Sequence, residues 1–401
     1  MSEGTRALEI IRSLETVRAR CHELVVLGKK DKLTHFRIDQ TLMPKVVDYI
    51  CEEIATNYPN FDVPYHSRYR HVEIEGHSRL EELKSQIRPG SKFDWGKLCI
   101  DFVVVSVLLD AGAGPSWRYM DKASGKVFSR SEGLAIASFN MFTSGLFSNR
   151  PDEPCRADGQ ALRRLNAKDL SQGLQITAKN QLAGFEGRLD LLRRLGDVLA
   201  QKGPDNRVAS IFVDLASKDP TVHAAQLFKR VLIGLQDIWP NGFMLAGTNV
   251  GDVGYHSQIS GEGKTKGLVP FHKLSQWLTY SLLEPFEAMG YTVTGLDSLT
   301  ALPEYRNGGL LIDLGLIQVK TPRALDKEYD VADELIVEWR ALTLGLFDEI
   351  ADLIRKKLDQ ASLPLAKILQ GGSWSAGRKI AKTLRLDGAP PIKIRSTGTQ
   401  F

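Results

Sequence analysis

Residues 95–119 read WGKLCIDFVVVSVLLDAGAGPSWRY, and the fold is decided by how this stretch is understood. Positions 98–109 are the most apolar run of the chain, about a dozen residues, whereas a membrane-spanning helix needs ~20. The run also contains Asp101, so it predicts a buried core element rather than a membrane span. It ends at Asp110 and meets a Gly-Ala-Gly-Pro breaker, which puts the polar residues beyond it at the end of a rigid element.

Working outward, helical periods dominate. Residues 131–142, SEGLAIASFNMF, are small and apolar and suit a closely packed helix. Residues 158–175 and 185–201 predict two helices with charges opposite an apolar stripe, followed by the KGPDNR loop at 202–207. At the N-terminus Leu8, Ile11, Leu14 and Val17 recur at near-helical spacing, which predicts an amphipathic helix and not a signal peptide. Further helices are expected over 272–289 and 333–358, and an extended arm over 388–401. Residues 241–269 are glycine-rich with few helical signals and predict loops or short hairpins. The expected fold is mainly α with a minor β component (α+β), a compact multi-helix globular body. Residues 1–401 are expected to form one unit, with 1–92 as an N-terminal helical layer and 93–401 as the main catalytic body.

Composition bounds the function. The chain has 401 residues, 43% hydrophobic and 25% charged, too apolar for disorder and too polar for a membrane protein. Its 52 basic and 48 acidic residues leave a net charge of only +4, so no nucleic-acid footprint stands out. Cys21, Cys51, Cys99 and Cys155 are widely spaced without a CxxC pair, which fits reduced thiols and a cytoplasmic location.

Several polar clusters are candidates for chemistry. Arg68, Tyr69, Arg70 and His71 are suited to gripping an anion and stacking on a ring, or form a solvated turn. Asp101 reads either as a carboxyl with a raised pKa or as an ion-paired core aspartate. Trp117 and Tyr119 follow the glycine turn. Asp252 and His256 lie four apart in GDVGYH, with His272 farther on; a metal site from these three would need a helix that Gly251 and Gly254 argue against, so binding or capping roles are preferred and no metal or other cofactor is expected. Residues 296–315, LDSLTALPEYRNGGLLIDLG, hold Asp297, Glu304, Arg306 and Asp313 among apolar neighbours and form the strongest site candidate. Glu338 and Arg340 read as binding residues or as an internal ion pair, and Trp374 as a pocket wall or a core tryptophan.

RYRHVE (68–73), DFVVVSVLLDAGAGPSWRY (101–119), RSEGLAIAS (130–138), GDVGYH (251–256), LVPFHKLSQWLTYSLLEPFE (268–287), LPEYRNGGLLIDLG (302–315), EWRALT (338–343) and LQGGSWSAGRKIA (369–381), in this order, resemble the uracil-catabolism protein 4 family of fungi and bacteria. Gly254 stands where that resemblance leads one to expect an aromatic residue. The resemblance implies a place in a uracil-breakdown route that passes through a ribosylurea-type intermediate, beside a ring-opening cyclohydrolase-like enzyme and a uracil phosphoribosyltransferase. The expected activity is hydrolysis of the N-glycosidic bond of ribosylurea or its phosphate, with release of urea. The substrate is then a small nucleoside- or nucleotide-derived molecule, with no nucleic-acid or membrane partner, and association with other enzymes of the route is a further expectation. Glu304 is the first choice of catalytic carboxylate, with Asp101, Asp297 and Asp313 beside it. Arg68, Arg70, His71 and Arg306 would hold phosphate or ribose hydroxyls, and Trp117, Tyr119 or Trp374 would wall the pocket. The alternatives are a metal-dependent hydrolase of a ring-opened pyrimidine using Asp252, His256 and His272, and a non-catalytic pathway scaffold.

Overall fold

Residues 92–108 form a helix because nothing in the run interrupts it: Ser91 caps its start by accepting the Asp94 N–H at 3.1 Å, and the apolar side chains cover every face. This computed structural model describes residues 2–74, 76, 78–201, 206–216, 220–240 and 242–395. It is 57% helical, and the short strands pair only in twos, so the protein is mainly α with a minor β component. Among the described residues no helix is long and apolar enough to cross a membrane.

The chain divides into two units, each discontinuous in sequence. The first comprises Met1–His66, Gly242–Gln276 and Gly295–Arg395, and the second chiefly Ser67–Asn241 and Trp277–Thr294.

In the first unit the long helix Glu334–Leu358 packs on Leu14–Lys29. Gly345 permits the approach, since a Cβ there would lie 2.7 Å from Val25 and 3.1 Å from the Cys21 carbonyl. Arg18–Asp348 at 3.0 Å and Lys29–Glu349 at 2.6 Å flank the apolar contact. The N-terminal pattern forms two helices, Glu3–Ile11 and Leu14–Lys29, because the Ser13 hydroxyl captures the Thr16 N–H and starts a second helix. The Tyr305–Asp313 helix packs on Trp374–Leu384, where a Cβ at Gly377 would overlap the Arg306 carbonyl. The glycine-rich region supplies two antiparallel ladders, Met244–Leu245 with Thr248–Asn249 and Val253–Tyr255 with Leu268–Pro270. Phe36–Ile38 pairs antiparallel with Ile317–Val319, and Glu328–Tyr329 parallel with Lys393–Ile394. The rest of the expected C-terminal arm, 396–401, lies outside the described residues.

In the second unit Lys92–Leu108 packs on Arg130–Thr143 through Phe102 against Phe139 and Phe142, with ring centroids 5.5 and 5.6 Å apart. The Arg188 guanidinium donates to the carbonyls of Leu109 and Ala111, both at 2.8 Å, and so closes the end of the core helix. The stretch 158–175 forms two short helices, Gly159–Arg164 and Ala167–Gly173, because Asn166 accepts the Asp169 N–H and recaps the chain. Phe185–Ala200 follows, and most of the KGPDNR loop, 202–205, lies outside the described residues.

Candidate functional site

In the first unit, Pro303 and the extended backbone of Glu304 break the chain before the Tyr305–Asp313 helix, and the Glu304 side chain caps that helix by accepting the Asn307 N–H at 2.9 Å. Asn307 is buried; its Nδ2 donates to the Leu302 carbonyl at 2.9 Å, and its Oδ1 accepts from Ser373 Oγ at 2.8 Å. Ser373 closes a π-helical turn, Leu369–Ser373, a rare wide turn that recurs at functional sites. From the same turn Gln370 Oε1 lies 3.0 Å from His66 Nδ1, and the His66 ring is 6.2 Å from the Trp374 ring. Glu304, Asn307, Ser373, Trp374, Gln370 and His66 thus form one continuous constellation.

The loop leading to Glu304 is held by Gln276, whose Oε1 accepts the Thr300 N–H at 3.1 Å and whose Nε2 donates to Thr300 Oγ1 at 2.5 Å. Burial raises the Glu304 carboxyl above its ordinary pKa; the charges of Lys273 and Arg306 and the N–H groups of Arg306 and Asn307 pull the other way. Arg306 is buried, donates to the Gly388 carbonyl at 3.2 Å and lies over the Tyr305 ring.

A second set in the first unit links GDVGYH to the long helix. Arg340 grips Asp252 with two parallel bonds, Nη1–Oδ1 at 2.9 Å and Nη2–Oδ2 at 2.6 Å, and its guanidinium lies 4.1 Å over the Phe271 ring. Burial works to raise the Asp252 pKa, but Arg340 and the Lys273 N–H override it and hold the carboxyl below its usual range. His256 Nδ1 accepts the Gln258 N–H at 3.2 Å, so Nε2 carries the proton and donates to Glu338 Oε2 at 3.0 Å. The other Glu338 oxygen accepts the N–H groups of His35 and Phe36 at 3.1 and 2.8 Å. His272 sits at φ +47, a left-handed backbone uncommon outside glycine, and Nε2 donates to the Ile11 carbonyl at 2.8 Å. Residues 253–255 are a strand, so Asp252 and His256 do not share a helix face. Among the described residues no three His, Cys, Asp or Glu side chains are grouped to hold a metal ion. Gly254 has no room for a larger residue: a Cβ would lie 2.6 Å from Val337 and 3.3 Å from Phe271.

The second unit gathers the 68–71 residues on and beside the short helix Tyr69–Val72. Arg68 is fully buried; it pairs with Asp110 at 3.0 Å, donates to Ser106 Oγ at 2.7 Å and lies 5.7 Å over the Trp277 ring. Its Nη1 is 3.5 Å from His71 Nδ1. Arg70 Nη2 stands between two carboxylates, Glu284 at 2.5 Å and Glu73 at 3.7 Å, both with pKa values raised by burial. Tyr69 is buried, which raises its phenol pKa.

The remaining nominated residues serve their own surroundings. Asp101 is fully buried and accepts from Arg207 Nε and Nη2 at 2.9 and 2.6 Å and from the N–H groups of Ala157 and Ala209. Asp313 is held bidentately by Arg385, and Asp297 is exposed, 3.5 Å from Arg355. Trp117 is a core residue whose Nε1 donates to the Leu174 carbonyl at 3.0 Å, and the Tyr119 hydroxyl accepts from Asn140 at 3.0 Å. Sequence reasoning names Asn307 among the polar groups of the 296–315 stretch but passes over His66, Gln370, Ser373, Glu73 and Glu284 as site residues, although all but His66 lie inside the motif blocks.

A family model described as "Protein of unknown function (DUF1688)" matches residues 10–401. The chain is 37% identical over 407 residues to "Protein urg3" of Schizosaccharomyces pombe, covering 99% of this chain and 100% of that protein. It is 36% identical over 405 residues to "Uracil catabolism protein 4" of Lachancea kluyveri, covering 92% of each. Matches of this length along the whole chain, with the motif blocks lying on the buried polar clusters, make it a member of the uracil-catabolism protein 4 family.

Proposed function

We propose that the protein acts in uracil catabolism, and that its reaction is hydrolysis of the N-glycosidic bond of ribosylurea or its phosphate. The name of the Lachancea kluyveri relative supports the role in uracil breakdown. The observation that carries the reaction is the state of Glu304. Asp101, Asp297 and Asp313 each face a guanidinium, whereas Glu304 makes no salt bridge among the described residues, stays part-exposed, and has a pKa raised by burial.

Such a carboxylate is a stronger base towards water than an exposed one. As water adds its oxygen to the anomeric carbon, Glu304 takes the water proton and its charge steadies the oxocarbenium-like sugar. The C–N bond breaks, the bonding pair leaves with the urea nitrogen, and that nitrogen takes a proton, for which the Lys273 ammonium, whose charge acts on Glu304, is the candidate donor. Trp374 and His66 offer rings against which a sugar can lie. The roles rest on side chains of the first unit alone.

The test is to incubate the purified chain with synthetic ribosylurea and with its 5-phosphate and to follow urea and free sugar by mass spectrometry. Equimolar release of both by the wild type, and loss in the Glu304→Gln variant with unchanged circular dichroism, is the expected result. Unaltered substrate after prolonged incubation with folded protein overturns the reading.

A further inference from the structure

The first unit contains a cavity of about 390 Å³ that includes none of the Glu304 constellation; its polar wall includes Arg323, Lys327, Tyr329, Asp333 and Glu334. Three features of that wall agree in charge. Arg323 and Lys327 face it, and neither has a carboxylate partner among the described residues. The 25-residue helix Glu334–Leu358 begins at the cavity, and Asp333 places no side-chain cap on its first-turn N–H groups. An uncapped helix start leaves backbone donors and the positive end of the helix dipole available to an anion.

The two acidic side chains on the wall are already engaged. Glu334 Oε1 accepts the Ser257 hydroxyl at 2.6 Å and the Ser257 N–H at 3.3 Å, and Asp333 Oδ2 accepts the Asp330 N–H at 2.8 Å. Although burial works to raise the Glu334 pKa, Ser257 and His256 hold it below the ordinary value, so it stays ionised and directed at Ser257. The rest of the wall is an apolar floor of Val319, Ala324 and Leu335 beside the Tyr329 ring, with the His35 imidazole and the Thr321 hydroxyl adding further polar groups. A volume of this size falls in the range of small-molecule sites and exceeds what a bare anion fills.

We propose that this cavity binds a phosphomonoester with a ribose- or nucleoside-sized body, its phosphate on Arg323, Lys327 and the start of the Glu334–Leu358 helix, and its body against Tyr329. The site is separate from the Glu304 chemistry and does not depend on it.

Isothermal titration calorimetry at fixed ionic strength tests the site with uridine 5′-monophosphate, ribose 5-phosphate, uridine and inorganic phosphate. Both phosphomonoesters bind saturably, and uridine and inorganic phosphate bind at least about tenfold more weakly. The Arg323→Ala/Lys327→Ala double variant weakens the phosphomonoesters by about tenfold or more, while Lys45→Ala, which removes an exposed charge elsewhere, leaves them unchanged. Glu304→Gln protein binds them as wild type does, which separates this site from the proposed reaction. Absence of saturable binding, or an equal loss in Lys45→Ala, overturns the proposal. Inorganic phosphate binding as tightly as the esters reduces the cavity to an anion site and overturns the assignment of an organic body.

Discussion

Ser373 Oγ donates to Asn307 Oδ1 at 2.8 Å, tying the π-helical turn to the residue whose N–H is capped by Glu304. The wide turn and the candidate carboxylate are therefore linked through one residue, Asn307. Replacing Ser373 with Ala removes a buried hydrogen bond and leaves an amide oxygen without it, a loss of about 1–2 kcal/mol. We expect a lower denaturant midpoint and, on the proposed function, a fall in kcat larger than any change in KM. Full activity in a destabilised variant would separate the turn from the chemistry.

Glu304→Gln keeps an oxygen able to accept the Asn307 N–H while removing the charge, so stability changes little and turnover falls by about a hundredfold or more. Because burial raises the Glu304 pKa, the acid limb of kcat/KM is expected above the ordinary 4.5. A pH–rate profile checks this, and an acid limb at or below 4.5 would assign the titration to another group.

Asp252→Asn leaves the buried Arg340 guanidinium without its counter-charge. Breaking such a pair costs about 3 kcal/mol. Chemical denaturation with circular dichroism should show the loss, and a cost well under about 1 kcal/mol would mean the bidentate pair is dispensable.

His272 provides a pH-dependent stability with a definite sign. Burial, helped by the charges of Arg12 and Arg340, lowers its pKa below 6.5, while its bond to Ile11 and the charge of Asp252 oppose the shift. The unfolded chain therefore binds a proton more readily than the folded one. The neutral-His272 contribution is complete above pH 6.5 and is lost as pH falls from there towards the folded pKa. Thermal melts of wild type and His272→Gln should diverge in slope over that window, with the variant flatter; parallel slopes would show that His272 does not govern it.

Gly254→Ala places a methyl 2.6 Å from Val337 Cγ2. The overpacking should cost about 1–3 kcal/mol, read as a drop in melting temperature. A neutral substitution would show that the ladder can shift away from the long helix.

What can be read from the sequence follows from range. The apolar run at 98–109 states its own burial, and the glycines of 241–269 state their own irregular backbone. Those signals are local, and the structure has helix and short ladders there. The polar partnerships are not local. Asp101 finds Arg207 106 residues away, and His66 meets Gln370 across 304 residues. No period or spacing encodes such a meeting, so Asp101 reads as acid catalyst or as core ion pair, and nothing around His66 announces its partner. The π-helical turn is hidden for another reason: Gly371 and Gly372 read as a break before a helix starting near Trp374, and the wide turn shows only in its hydrogen bonds.

The first unit is built from three separated stretches of chain, and this bears on how it is made. Arg18 waits for Asp348, 330 residues later, so at ~5–20 residues per second the N-terminal helices spend on the order of half a minute on the ribosome without their partner. The apolar side of Leu14–Lys29 is uncovered for that time, open to chaperones. Any nascent fragment ending before the Glu334–Leu358 helix lacks the surface that would complete it.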